Sequence, residues 1–415
     1  MKFKTFAALT LAALAIPAFA QTGFDPDAAT RAYLATVSGA ARAKSDAYFE
    51  GGYWLILWGF LVTVAVNVAF LQFGWSAKLS AWASRRTRRA FPAILLYAVP
   101  YLVVTGILTF PWAIYTGFFR EHQYDLATQT FGPWFGEQMI GFAIGTVIGA
   151  LLIGGLLAMV RRTGKAWWAW GTLITVAGFF VISVLAPVLI MPLFNKYTPM
   201  AASPLQQAIL SMARANGVPA DNVYVVDASR QTTRISANVA GLAGTTRVAL
   251  NDNLLKQPPA EVRSVMGHEL GHYVLNHGYK GLVFFGLVIL AGFWVTAKAT
   301  PALLARYGER WGVTDVADPA VVPVALIVLA AFFLVATPVT NSIIRVQESE
   351  ADIYGLNAAR APDGFAKISL KLSTYRKLEP GPWEEIIFYD HPSGRTRVAM
   401  SMKWKAEHLG EPGIE

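Results

Sequence analysis

The sequence predicts a mainly α-helical integral membrane protein of about six transmembrane helices behind an N-terminal signal peptide, with a polar insert carrying a small β-sheet. Three observations predict it. Of 415 residues, 54% are hydrophobic and only 15% charged, with a mean hydropathy of +0.42, which excludes an ordinary soluble domain. Apolar runs near 53–75, 92–118, 139–160, 167–194, 281–303 and 319–343 are each long enough to cross a bilayer. Between the fourth and fifth runs polarity rises and the pattern changes to short β-like segments.

Residues 1–20 have the form of a secretory signal: Lys2 and Lys4, an apolar core from Phe6 to Ile16, and Ala18-Phe19-Ala20 as a cleavage site. An uncleaved signal anchor is the alternative. Residues 21–194 form an N-terminal helical membrane domain with four spans. It starts with a mixed, helix-forming stretch, 21–52. Lys78, Arg85, Arg86, Arg88 and Arg89 lie between the first two spans, and Arg161, Arg162 and Lys165 between the third and fourth. The positive-inside rule places both turns in the cytoplasm. The insert and the C-terminal tail then face the periplasm of a multi-pass protein of a bacterial inner membrane. The net charge of +9 is concentrated beside apolar runs, so it is read as a topology and lipid signal; no nucleic-acid partner is expected. The absence of cysteine excludes disulfides, thiolate metal sites and cysteine nucleophiles.

The insert, 195–280, opens with a helical pattern from Leu205 to Ala215. Strand-like runs follow at Val223–Val226 and Thr246–Leu250, and a helix starting at Pro258-Pro259 and stopping near Gly278 closes it. Two more spans occupy 281–343. The tail, 344–415, is mostly helical, with turns at Glu379-Pro380-Gly381-Pro382 and His391-Pro392-Ser393-Gly394.

The closing helix carries His268-Glu269-Leu270-Gly271-His272, an H-E-x-x-H motif. Residues four apart share a helix face, so His268 and His272 can offer two imidazoles to one ion with Glu269 beside its water. A catalytic zinc takes three protein ligands and keeps a position open. His277 falls half a helical turn off that face and reads as a helix-end residue rather than a ligand. The best distal candidate is Glu348 in the pattern E-x-x-A-D. Asp352, one turn on, can receive the outer N–H of a ligating histidine, and Glu350 should face elsewhere. Tyr273 reads as a packing residue.

Together these residues resemble the integral-membrane family of type I CAAX prenyl endopeptidases and the related bacterial heat-shock membrane protease. The resemblance rests on His268–His272, on Arg345 with Glu348, Ala351 and Asp352, on His391-Pro392 with Arg397, on Pro187–Tyr197, and on Ser236-Ala237-Asn238 followed by Arg247–Leu250. It implies a zincin-like (gluzincin) metalloprotease domain with one Zn2+ per chain. The implied zinc ligands are His268, His272 and Glu348, with Glu269 as general base. It implies an edge strand at Asn238, Val239 and Ala240 that binds substrate backbone, and it places His391 and Arg397 near the site as oxyanion stabilisers. The chain departs from eukaryotic members after Asn238, where Val239-Ala240-Gly241 stands, and in having six spans rather than seven. The expected partners are the lipid bilayer and a peptide or protein substrate, prenylated or otherwise membrane-associated. The same chemistry serves a second job, quality control of membrane or exported proteins. A third reading is a non-catalytic transporter or channel with a structural zinc. Against it, the spans carry almost no ionisable groups, and structural zinc usually takes four protein ligands.

Overall fold

The computed structural model describes residues 23–240 and 246–414, so the expected signal peptide lies outside the described residues. Helix α1, Pro26–Ala35, starts where the Asp25 carboxylate caps the backbone N–H groups of Asp27 and Ala28. Helix α2, Gly39–Gln72, is one rod of 34 residues that joins the mixed N-terminal stretch to the first apolar run. At 1.5 Å per residue it is about 51 Å long, so about 20 Å extends beyond a hydrocarbon core of about 30 Å. Most of the first basic connection is itself a helix, α3, Trp75–Arg86. Helix α4, Ala90–Ile114, passes through a π-helical turn into the short α5, Arg120–Gln123.

Helix α6, Phe131–Thr163, stops at Gly164, whose φ of 51° favours glycine, and α7, Trp167–Leu185, runs back along it. Gly155 faces Ile174 and Gly171 faces Leu156, the register of an antiparallel hairpin. In the insert, β1 (Tyr197–Pro199), α8 (Pro204–Ala215), β2 (Val223–Val226), β3 (Ala237–Ala240), β4 (Arg247–Asn251) and α9 (Asp252–Leu255) precede α10 (Pro259–Val274). Helix α11, His277–Trp311, and α12, Val322–Ala359, are the remaining long helices. The tail folds as α13 (Pro362–Leu372), α14 (Pro382–Phe388) and α15 (Gly394–Glu407).

Among the described residues, five apolar helical runs are long enough to cross a membrane: Gly39–Gln72, Ala90–Gln123, Phe131–Leu193, His277–Trp311 and Pro319–Ala359. The third, of 63 residues, contains the α6–α7 hairpin. Many large apolar side chains on these helices face outward, among them Ile107, Val147 and Val335, as lipid-facing surfaces do. The chain is a multi-pass membrane protein.

The expected helix stop at Gly278 is corrected. Helix α10 ends at Val274, and Asn276 turns the chain at φ 58°, a conformation asparagine tolerates better than most residues. Gly278 is already inside α11, which begins at His277.

The sheet order is β1-β2-β4-β3. Strands β1 and β2 are antiparallel, β2 and β4 parallel, and β4 and β3 antiparallel, with Asn238 opposite Ala249. Sequence patterning identified β2 and β4; the three-residue β1 is too short to show a period. Apolar residues of β4, α8 and α10 make one core that includes Val248, Leu250, Ile209, Val262, Met266 and Leu270, each fully buried. Burying one such side chain contributes about 1.5–3 kcal/mol, which fixes the rotation of α10 and so the direction of its polar residues.

The molecule has two polar ends. At one, α1 packs on α13 and α15 through Leu34, Ala366, Leu370, Val398 and Met402. Arg234 ties the insert to α2 and α5 by bonding Tyr48 Oη and Glu121, each at 2.7 Å. At the other, Ser76 and Ser80 of α3 bond Ala320 O and Asp318, and Arg161 donates to Ala317 O at 3.0 Å.

Candidate active site

Two helices with small residues at their crossing assemble the site. Gly267 and Gly271 of α10 meet Ala351 and Gly355 of α12 so closely that a Cβ on Gly355 would lie 2.7 Å from the His268 backbone nitrogen. A Cβ on Gly271 would lie 3.2 Å from the Ala351 Cα. Small residues let backbones approach, and this approach sets Glu348 and Asp352, one turn apart on α12, against His268 and His272, one turn apart on α10. The alanine of E-x-x-A-D is therefore a packing requirement.

His268, His272 and Glu348 each direct one ligand atom to a common point, all within 4.8 Å of one another. His268 Nε2 lies 3.0 Å from His272 Nε2 and 3.2 Å from Glu348 Oε2; His272 Nε2 lies 3.3 Å from Glu348 Oε1. His268 Nδ1 lies 2.7 Å from Asp352 Oδ1, a fully buried carboxylate that also accepts from Arg397. A carboxylate only accepts, so His268 carries its proton on Nδ1 and presents a bare Nε2.

His272 is held by a chain that the sequence did not reveal. Glu350 Oε2 accepts from His277 Nε2 at 2.9 Å and from Lys280 Nζ at 3.0 Å. His277 Nδ1 is then the lone-pair nitrogen, and it accepts from His272 Nδ1 at 2.8 Å. His272 too presents a bare Nε2. Glu350 faces away from the metal group as expected, yet it serves that group through His277. The angular argument placed His277 off the ligand face by continuing one helix through it. The break at Asn276 swings it back, and only the backbone turn could reveal that.

This donor set fits a metal cation. Two imidazole lone pairs and a carboxylate converge at 3.0–3.3 Å, a repulsive arrangement unless positive charge sits between them. Metal–ligand bonds of about 2.0–2.1 Å at a tetrahedral ion would separate two ligand atoms by roughly 3.3 Å. The same electrostatics appear in His268. Burial disfavours its charged form, but the Asp352 and Glu348 carboxylates outweigh that and push its pKa up to about 10. Glu269 is on the same helix face, and burial holds its carboxyl above the ordinary glutamate range against the pull of both histidines.

Glu269, His391 and Arg397 line one small cavity of about 140 Å3 with His268, Glu348 and the start of β3. His391 Nε2 is 3.2 Å from Glu348 Oε2 while its Nδ1 bonds Asp390 Oδ1 at 2.9 Å. Arg397 directs Nη2 to Asp352 behind His268, and its buried Nε has no hydrogen-bond partner. Asn238 has a buried Oδ1 without a hydrogen-bond partner, on the strand that ends the sheet. Val239 lines a second, larger cavity of about 1060 Å3 that reaches from His272 down between α7, α11 and α12, with Val176, Phe179, Leu282 and Phe333 in its walls. Ala240 closes β3, paired with Arg247. Tyr273 is a hydrogen-bonding residue as well as a packing one, its hydroxyl accepting from Thr246 Oγ1 at 2.9 Å.

Two family descriptions match nearly end to end: the CAAX prenyl protease N-terminal region of five membrane helices over residues 30–196, and peptidase family M48 over residues 199–405. The chain belongs to peptidase family M48. Its catalytic class follows: a membrane-embedded zinc-dependent metalloendopeptidase acting on peptides or proteins. An uncharacterized metalloprotease, YhfN, of Bacillus subtilis is 29% identical over 333 residues, covering 80% of this chain and 78% of that protein. A CAAX prenyl protease 1 homolog of rice is 24% identical over 332 residues, covering 76% and 75%. The crystal structure of S. mikatae Ste24p superposes with a TM-score of 0.72 at 19% identity over 91% of this chain and 94% of that one, a likeness of fold.

Proposed function

We propose that this metalloendopeptidase binds one zinc ion through His268, His272 and Glu348 and cleaves peptides that arrive with an apolar, membrane-seated segment attached. The observation that carries the substrate reading is the cavity of about 1060 Å3 whose apolar walls lie between membrane helices and whose upper end is His272. A prenyl group on a C-terminal cysteine is one chemical form of such a segment; a transmembrane helix of a damaged or exported protein is the other. Bound zinc would supply Lewis acidity and a water of lowered pKa.

The residues act around that ion. The backbone of β3, the last strand of the sheet, pairs on its side away from β4 with the extended substrate and fixes its direction. The unpartnered Asn238 Oδ1 accepts a substrate N–H. Glu269 takes the proton of the attacking water and returns it to the leaving nitrogen, a role served by a carboxyl whose affinity for protons is raised by burial. His391, when it carries protons on both ring nitrogens, donates from Nε2 to the oxyanion while Asp390 accepts from Nδ1. Arg397 keeps Asp352 ionised and through it orients His268; His277 with Glu350 does the same for His272.

Charge at the basic end supports one membrane orientation. Lys78, Arg85, Arg86, Arg88, Arg89, Arg161, Arg162, Lys165, Arg306 and Arg310 gather at one end of the helices against Glu309, Asp315 and Asp318. That end is cytoplasmic by the positive-inside rule, so the active site opens on the periplasmic face of a bacterial inner membrane. This placement favours exported and membrane proteins as the natural substrates.

The test is cleavage by detergent-purified protein of three substrates of one peptide sequence: free, carrying a C-terminal farnesyl group, and fused to an apolar helix. Cleavage confined to the two lipid-seeking forms, and lost in Glu269→Gln, supports the reading. Equal cleavage of the free peptide shows that the cavity does not select substrate.

A further inference from the structure

A second cavity lies at the opposite, basic end, enclosed by α6, α7, α11 and α12, with a volume of about 610 Å3. It shares no lining residue with the cavities at the catalytic centre. Its chemistry is layered. The floor is apolar: Ile153 and Leu156 of α6, Phe293 of α11 and Leu329 of α12. Lys165, in the turn between α6 and α7, and Lys298 of α11 line the same space, and both are exposed. The indoles of Trp167 and Trp168 flank it, the residue type that settles at the membrane–water boundary.

The wall of this cavity also holds an orphaned polar group. Thr300 is 5% exposed, lines the cavity, and its Oγ1 has no hydrogen-bond partner. Four residues earlier, Thr296 meets the same need in the ordinary way, donating to Gly292 O at 2.8 Å. The following residue, Pro301, has no N–H to give the Ala297 carbonyl, so this stretch of α11 is polar where it borders the cavity. A buried hydroxyl without a partner costs free energy unless a ligand satisfies it.

We propose that this cavity is a binding site for one anionic phospholipid. The phosphate sits between Lys165 and Lys298, whose long stems reach to the headgroup level. The Thr300 hydroxyl donates to an ester carbonyl, and one acyl chain covers the Ile153–Phe293–Leu329 floor. Cationic groups and a hydrogen-bond donor at one end and an apolar floor at the other line one space, which is the complement of a phospholipid's headgroup, ester region and tail. Basic pockets between transmembrane helices on the cytoplasmic side hold anionic headgroups in this way. A zwitterionic lipid sets its own ammonium against the lysines, and a free phosphate leaves the hydroxyl and the floor unused.

The experiment is native mass spectrometry of the full, delipidated chain titrated with phosphatidylglycerol or with phosphatidylethanolamine of the same acyl chains. One phosphatidylglycerol per chain should be retained at about tenfold lower lipid concentration than phosphatidylethanolamine, the advantage given by two basic contacts. The double substitution Lys165→Ala/Lys298→Ala should erase that preference, lowering phosphatidylglycerol retention more than phosphatidylethanolamine retention. Thr300→Val, close in shape, should weaken retention of both lipids. Peptidase activity, generated at the other end, reports that each variant is folded. Equal retention of the two lipids by the wild type overturns the proposal. So does a preference that survives the double substitution, or displacement of the lipid by inorganic phosphate alone.

Discussion

The two histidines of the H-E-x-x-H motif are one turn apart on α10, yet the walls that hold them differ in kind. His268 faces the protein interior, where a fully buried aspartate receives its N–H and a buried arginine neutralises the aspartate. His272 faces the large membrane cavity, where a neutral histidine receives its N–H and a half-exposed glutamate, shared with Lys280, holds that histidine in the required tautomer. The inner wall uses charge in a dry place; the outer wall passes a hydrogen bond toward water. Charged hydrogen bonds are roughly twice as strong as neutral ones, so the inner wall should matter more.

The largest effects should fall on the shared centre and not distinguish the walls. Glu269→Gln should retain metal and lose about 10²–10⁴-fold in kcat; full activity would remove Glu269 from the chemistry. Glu348→Ala should abolish stoichiometric zinc by elemental analysis, and a normal zinc content would reject it as third ligand. Gly355→Ala, which presses a methyl against the His268 backbone 2.7 Å away, should cost about 1–3 kcal/mol of stability by denaturation and reduce zinc content, because both walls depend on that helix crossing. Asp352→Asn keeps an acceptor but leaves Arg397 buried without its counter-charge. It should weaken zinc binding, measured by competition with a chelator, toward the upper end of about 10–100-fold. His277→Phe should weaken it toward the lower end, and Glu350→Gln, which still offers His277 an acceptor oxygen, should do so least. If His277→Phe proves more damaging than Asp352→Asn, the ranking by burial and charge is wrong and the outer wall governs the site.

Features confined to one stretch of chain were legible in advance. The apolar runs, the basic turns, the H-E-x-x-H helix and its Pro258-Pro259 start each follow from local composition and period. Glu348 and Asp352 were found because both sit on one helix at a four-residue spacing. What was missed required a turn of known shape. Asn276 at positive φ ends α10 early, begins α11 at His277 and folds that histidine and Glu350 into the support of His272. The small-residue pairs Gly267–Gly271 and Ala351–Gly355 were visible as letters, but nothing in one sequence says which helices cross there.

The sequence by itself determined a multi-span membrane protein and marked His268 and His272 as neighbours on one helix face, because hydrophobic length and helical spacing are local quantities; the family resemblance made Glu348 and Glu269 the expected third ligand and general base. The tertiary structure alone decided which nitrogen each histidine turns toward Glu348, where β3 stands in the sheet, and that an apolar cavity ends on His272. Those depend on distances between segments separated by about eighty residues, and they are set by how closely two helix backbones can approach, which only packing reveals.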